Sequence, residues 1–345
     1  MRALVYDDGA LGLEQRPDPE PGTGDVVVKV LACGICGTDL RIAKGAHRKY
    51  PAGTRRVPGH EIAGQVEAVG DGVADVNVGE TVFVAPNLAC GHCHACRAGH
   101  RSLCENAEAL GITLDGGFAE RVLVPAASVR QGNVMATAAG TDPGALSVVE
   151  PLACVLRGQR AVGLREGDSI LICGGGPIGL LHAMLAAAAG AGPILVSEPQ
   201  AVRRAEAETF GAVGIDPTAE DLAARVREHT DGAGVDVVIT AVPVPAVQEG
   251  ALELAAIGGR INFFGGLPAG GSRISIDSNV VHYKELSITG TTANDESDCA
   301  EALALFTDGS LALDRLVSAR FPLERAEEAF AAAGGGGELK VVIEP

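Results

Sequence analysis

The hexapeptide Gly174-Gly-Gly-Pro-Ile-Gly179 constrains the fold more than any other stretch of this chain. It follows the apolar run Ser169–Cys173 (SILIC) and opens an Ala- and Leu-rich segment, Ile178–Ala189. Glycines in the pattern G-x-G-x-x-G let a strand turn tightly into a helix and let a dinucleotide pyrophosphate reach the helix N-terminus. With 47 glycines in 345 residues the pattern can arise by chance, so its strand-turn-helix context is what makes it informative. Gly174, Gly176, Pro177, Ile178 and Gly179 are therefore expected to hold a cofactor.

From about Asp168 onward, strands alternate with helices. The strands are Pro193–Glu198, Val235–Thr240, Gly259–Phe264 and Leu286–Gly290; the helices are Ala201–Phe210, Ala219–His229 and Pro245–Ile257. Strands this apolar are covered on both faces, which points to a parallel sheet. Glu198 ends the second strand, nineteen residues after Gly179. A carboxylate there accepts hydrogen bonds from ribose hydroxyls and repels a 2′-phosphate, favouring NAD over NADP. Arg203 and Arg204 temper that preference because arginine near this position also holds phosphate; the alternative for Glu198 is an ordinary surface acid.

The first half reads differently. Asp25–Ala32, His60–Gly70, Gly79–Ala85 and Phe118–Val124 are short, Val-rich and bounded by turn residues, as in an irregular β-barrel or sandwich. Beyond Gly290 come helical stretches around Cys299–Thr307 and Leu323–Ala333, a glycine loop at Gly334–Gly337 and a final strand, Leu339–Ile343. A tail of this length is expected to pack back on the first half. The expected organisation is one domain from residues 1–152 and 291–345, interrupted by a nucleotide domain at 153–290.

Four of the nine cysteines, Cys90, Cys93, Cys96 and Cys104, fall in a loop at 89–105 with the spacing C-x2-C-x2-C-x7-C. Four thiolates so spaced can close a tetrahedral shell around zinc and leave no position for substrate, which makes such a site structural. The alternative is four neighbouring thiols with no metal. His92, His94 and His100 share the loop and are expected to face solvent. A second set is dispersed: Cys36 in Cys33-Gly-Ile-Cys-Gly-Thr-Asp39, His60 and Glu61 in Pro58-Gly-His-Glu61, and Glu150. Thiolate, imidazole and carboxylate together make the ligand mix of an open, catalytic zinc.

These motifs, with Asp115-Gly-Gly-Phe-Ala-Glu120 and Glu150-Pro-Leu-Ala-Cys154, make the whole chain resemble the zinc-dependent medium-chain dehydrogenases, the alcohol, polyol and threonine dehydrogenase superfamily. The resemblance implies a GroES-like β-barrel catalytic domain with an inserted Rossmann sheet. It implies two zinc ions per chain, with Cys36, His60 and Glu150 on the catalytic one, Glu61 as an alternate ligand and Asp39 fixing the tautomer of His60. By the same resemblance Cys154 lines the nicotinamide pocket, while Cys33, Cys173 and Cys299 are left as packing residues. Zinc would acidify the substrate hydroxyl, a hydride would pass to the nicotinamide, and Thr38 would take the alcohol proton.

One position departs from the family. Where many relatives carry a relay histidine, this chain has Arg41, which cannot accept a proton. Either the relay ends differently, with His47 as a substitute acceptor, or Arg41 binds coenzyme phosphate or an anionic substrate. Arg41, Lys44, His47, Arg48 and Lys49 form a basic segment, which could also be a solvated loop, in a chain whose 27 Lys+Arg against 44 Asp+Glu give a net charge of -17. That charge argues against nucleic acid and anionic membranes as partners. No apolar run is long enough for a membrane helix and the amino terminus lacks a signal-peptide pattern, so a soluble, cytoplasmic protein is expected.

Glutamate rather than cysteine at 150 resembles the polyol and threonine branches. The expected substrate is therefore a secondary alcohol or ketone of a polyol, sugar or (amino)cyclitol, with L-threonine 3-dehydrogenase as the enzymatic alternative and a nonenzymatic zinc-ribbon, nucleotide-sensing protein as the alternative of another class. The resemblance also implies a homodimer or homotetramer.

Overall fold

The computed structural model describes residues 1–268 and 270–345, which form two compact units: Met1–Ala153 with Ala293–Pro345, and Cys154–Thr292.

The first unit is built on a mixed sheet whose central strand, Val26–Gly34, pairs antiparallel with Glu61–Val69, Arg121–Val124 and the last strand, Lys340–Glu344. The register sets Gly34 opposite Glu61 and Val342 opposite Gly34, so the carboxyl-terminal strand lies beside the segment that carries His60 and Glu61. Its core is mainly aliphatic, with Val28, Val30, Ile62, Val82, Val84 and Ile343 shielded from water around Phe118. That composition is what a chain with no Trp and 3% aromatics must use.

The second unit is a six-stranded parallel sheet in the order Val213–Ile215, Ile194–Ser197, Ile170–Cys173, Val235–Thr240, Ala255–Phe263, Ser287–Gly290. The order reverses beside Ile170–Cys173, and in a doubly wound sheet the crevice beyond the strand ends at that reversal is where nucleotides bind. The glycine turn leaves from this strand. The helix that follows, Pro177–Ala188, starts with proline at its first turn, where no backbone donor is needed, and is buried from Gly179 to Ala186.

Two sequence expectations are corrected. Ala255–Ile257 belong to a strand rather than a helix, because the helix from Pro245 stops at Leu254 and Ala255 already pairs with Val235. Gly334 and Gly335 close the helix Ala326–Gly335, and the chain leaves it at Gly336, whose φ of 78° is the left-handed conformation that ends helices. The helix Gly37–Ala43, which carries Thr38, adds to the expected elements, and Glu150 and Cys154 lie one turn apart on the helix Val149–Ala161.

His182 interrupts an otherwise apolar helix and is fully buried. Its ring packs edge-on against Phe264 with centroids 4.8 Å apart, and its Nε2 has no hydrogen-bond partner among the described residues. Burial holds its pKa down to about 3. The unfolded chain, with histidine near 6.5, therefore binds the proton more tightly, so this stabilising contribution is complete above that value and lost as pH falls toward 3. By pH 5 the loss should be about 2 kcal/mol. Urea unfolding between pH 8 and 5 should show this decline, and His182→Gln should flatten it; an equally steep decline in the variant would assign the acid sensitivity elsewhere.

Candidate metal centres and nucleotide turn

The four-cysteine lobe has almost no core of its own. Ala89, Cys93 and Cys104 form its small buried cluster, with Cys90, Ala95 and Cys96 packed against them. One ligand atom from each of Cys90, Cys93, Cys96 and Cys104 lies within 4.8 Å of all the others. The backbone amide of His92, then that of Cys93, hold the Cys90 thiol down to about 6, and the amide of Cys96 lowers Cys93; desolvation and the adjacent Cys93 push Cys96 up to about 12. Four sulfurs converging on one point are the donor set of a tetrahedral zinc site. His92, His94 and His100 are exposed, as expected.

At the second site, Cys36, His60 and Glu61 bring their ligand atoms within 4.8 Å of one another. Cys36 is held by the start of the helix Gly37–Ala43: its backbone N–H donates to Asp39 Oδ2 at 2.9 Å. The other Asp39 oxygen stands 3.6 Å from His60 Nδ1, an ion-pair distance rather than a hydrogen bond. Burial opposes protonation of His60, but the charge of Asp39, with help from Cys36, raises its pKa overall. Glu61 Oε1 is buried with no hydrogen-bond partner among the described residues. Thiolate, imidazole and carboxylate thus fit zinc on donor chemistry and on unmet valence.

Glu150 is buried in the first turn of the helix Val149–Ala161, where the helix dipole favours a carboxylate. It is not part of the Cys36–His60–Glu61 group among the described residues. Asn294 Nδ2 instead donates to Glu150 Oε1 at 2.7 Å. Burial raises the pKa of Glu150, opposed by the charge of His60. Cys154 lies on the same helix, half-buried.

Sequence reasoning passed over Lys340. It is 4% exposed, its Nζ is ion-paired with Glu61 Oε2, and it donates to the carbonyl of Ile35 at 3.2 Å. A lone lysine in the apolar run LKVVI was the one available sign. Cys299, expected to be mere packing, donates its S–H to Asn294 Oδ1 at 3.5 Å. Cys33 and Cys173 do lie in the two apolar cores.

Thr38 is half-buried, and Arg41 Nη2 donates to its hydroxyl oxygen at 3.2 Å. Lys44, Arg48 and Lys49 are exposed, whereas His47 is half-buried with its ring centroid 5.9 Å from that of Tyr50. Burial, then Arg41 and Arg48, lower the pKa of His47.

In the second unit, Gly174 takes a φ of 108° immediately after the strand, which a side chain would resist. Glu198 is not a surface acid: it is 4% exposed and folds onto this turn, Oε2 accepting from Gly175 N–H at 2.8 Å and Oε1 from Gln200 N–H at 2.9 Å. Arg204 is committed to the carbonyls of Glu198 and Pro199 and to Asp216. Arg203 Nη1 lies 3.7 Å from where a Cβ on Gly176 would stand, and its Nε is buried with no hydrogen-bond partner among the described residues.

Two family models match the chain: the alcohol dehydrogenase GroES-like domain over residues 22–133 and the zinc-binding dehydrogenase over 177–308. The chain is 36% identical to an L-threonine 3-dehydrogenase from Pyrococcus abyssi, covering 99% of this chain and 98% of that one. It is 31% identical to a sorbitol dehydrogenase from Halalkalibacterium halodurans, covering 100% and 99%. Among solved structures, a zinc-binding dehydrogenase from Sinorhizobium meliloti, bound to NADP, superposes with a TM-score of 0.93 at 35% identity over 100% of this chain and 99% of that one. A dispersed thiolate–imidazole–carboxylate group, a four-cysteine lobe and a glycine turn on a doubly wound sheet thus occur in a chain that matches these proteins from end to end: it belongs to the zinc-dependent medium-chain dehydrogenase superfamily, as an NAD(P)-dependent alcohol dehydrogenase.

Proposed function

We propose that this enzyme interconverts a secondary alcohol and a ketone on a polyol, sugar or cyclitol, with zinc held by Cys36, His60 and Glu150, a second zinc held by the four cysteines, and NAD preferred to NADP. The observation that carries the reading is the convergence of Cys36, His60 and Glu61 on one point, with Glu150 buried in the same unit. When bound, zinc supplies Lewis acidity toward the alcohol oxygen and the nicotinamide ring accepts the hydride. Glu61, tied to Lys340, is the alternate ligand. Glu198 selects NAD by placing a carboxylate at the glycine turn, while Arg203 is available to a phosphate oxygen.

Thr38 is the first proton acceptor, and Arg41 orients it by donating to its oxygen. Arginine cannot carry the proton onward. His47 can, because its lowered pKa leaves the ring neutral near pH 7. Arg41 has a second use: a guanidinium beside Thr38 pairs with a carboxylate or phosphate on the substrate. That observation supports L-threonine as a second reading, since threonine carries a carboxylate and the Pyrococcus abyssi relative is named for it.

A spectrophotometric panel of L-threonine, polyols, sugar acids and cyclitols with NAD and NADP distinguishes these readings. Cys36→Ser and His60→Ala should each reduce turnover of every accepted alcohol at least about a thousandfold, the scale of losing an electrostatic stabiliser of developing charge. Unimpaired oxidation would reject the zinc mechanism. In the wild type the rate of oxidation should fall as pH drops through the lowered pKa of His47, below 6.5. His47→Ala should lose that acidic limb, and Arg41→His should add a limb nearer 6.5; unchanged profiles in both would remove these residues from proton transfer.

A further inference from the structure

Asn294 is fully buried, and its side-chain amide donates on one side and accepts on the other. Its Nδ2 donates to Glu150 Oε1 at 2.7 Å and to the Glu150 carbonyl at 3.1 Å. Its Oδ1 accepts from Asn87 Nδ2 at 2.8 Å and from the Cys299 thiol at 3.5 Å. Two donors on the oxygen and two acceptors on the nitrogen determine which way the amide faces, because a flip would set its oxygen against a carboxylate and its N–H groups against Asn87 Nδ2. Asn87 is anchored in turn: Asn133, itself fully buried, donates to the Asn87 carbonyl at 2.7 Å. Ala293, immediately before, adopts a left-handed φ of 55°, a conformation that costs a non-glycine residue of order 1–3 kcal/mol and persists where surrounding contacts enforce it.

We propose that Asn294 is a positioning residue for the catalytic zinc: it pins the Glu150 carboxylate by Oε1 and so fixes the place from which Glu150 approaches the metal, while Asn87 and Cys299 set the direction of its amide. This rests on Glu150 being a ligand, as proposed above. Glutamate is a long side chain with several rotatable bonds, and a carboxylate that must be immobilised when the metal arrives weakens binding by the freedom it loses; Asn294 removes that freedom in advance.

The test is loss of metal from the full-length enzyme carrying cobalt(II) in the catalytic site and zinc at the four cysteines. Cobalt is followed by its visible absorption during challenge with a chelator, and the four-cysteine zinc serves as an internal reference. Partners that orient metal ligands typically contribute 10- to 100-fold in affinity. Asn294→Ala should release cobalt at least about tenfold faster and alter its ligand-field spectrum, with zinc release unchanged. Asn87→Ala should act in the same direction but less, since it affects Glu150 only through Asn294. Wild-type cobalt release and spectrum in Asn294→Ala would overturn the proposal. Should that variant fail to fold, Asn87→Ala decides by the same two readouts. Glu150→Ala, run in parallel, separates two failures: if it retains cobalt like the wild type, the assignment of Glu150 as a ligand fails, and if it loses cobalt while Asn294→Ala does not, only the positioning role fails.

Discussion

Lys340→Met should destabilise the zinc-loaded protein by roughly 3–5 kcal/mol, the cost of removing one partner from a buried ion pair. Glu61 is completely buried and Lys340 4% exposed, so water cannot replace the lost ammonium. The slot that holds the pair is formed by a missing side chain. Gly34 stands opposite Glu61 across the ladder, and a Cβ there would collide with Glu61 Oε2 and lie 2.9 Å from Lys340 Cε. Glu61 without its partner has then to protonate or move toward the metal. The double variant Lys340→Met/Glu61→Gln should recover more than half of the loss, because it removes both charges and leaves only an amide to satisfy. Urea unfolding of the three proteins at fixed zinc concentration measures both quantities. A single variant within 1 kcal/mol of the wild type would mean that the pair contributes little and that Lys340 is a passenger in the last strand.

Lys340 also shows where the sequence stops being informative. The parallel sheet was readable because its strands are continuous apolar runs, and the glycine turn because φ values such as that of Gly174 exclude side chains. Cys36, His60 and Glu61 could be picked out by residue type, and the fold brings them together. What pattern alone does not carry is pairing between distant segments. Lys340 meets Glu61 only through the register of the last strand against Val26–Gly34, and Asn294 meets Glu150 across 144 residues. The boundary errors have the same origin: Ala255–Ile257 continue a good helical sequence, but pairing of Ala255 with Val235 draws them into the sheet. Glu198 was expected at the nucleotide turn, yet its burial against Gly175 depends on how that turn folds back over the second strand. Short polar side chains such as those of Asn87 and Asn294 have no periodicity at all, so only the folded chain reveals what they hold.

Within the glycine turn, two substitutions of equal size should have separable effects. Gly179→Ala places a methyl against the carbonyl oxygen of Gly174 and 2.8 Å from its carbon. Both are backbone, so nothing flexible can yield, and the helix must move away from the strand it follows; overpacking of this kind costs about 1–3 kcal/mol. Among the described residues Gly176→Ala meets only Arg203 Nη1, at 3.7 Å, an ordinary contact with the end of a flexible side chain. The unliganded protein should therefore melt several degrees lower with Gly179→Ala and within a degree or so of the wild type with Gly176→Ala. Cofactor binding should weaken in both, at least about tenfold: in Gly179→Ala because the helix amides leave their places, and in Gly176→Ala because a methyl occupies the approach of the pyrophosphate. Thermal melts of the unliganded protein and fluorescence titration with NADH measure the two effects independently. A Gly179→Ala protein that melts like the wild type would contradict the close approach of helix to strand, and a Gly176→Ala protein with undiminished affinity would move the pyrophosphate away from this turn.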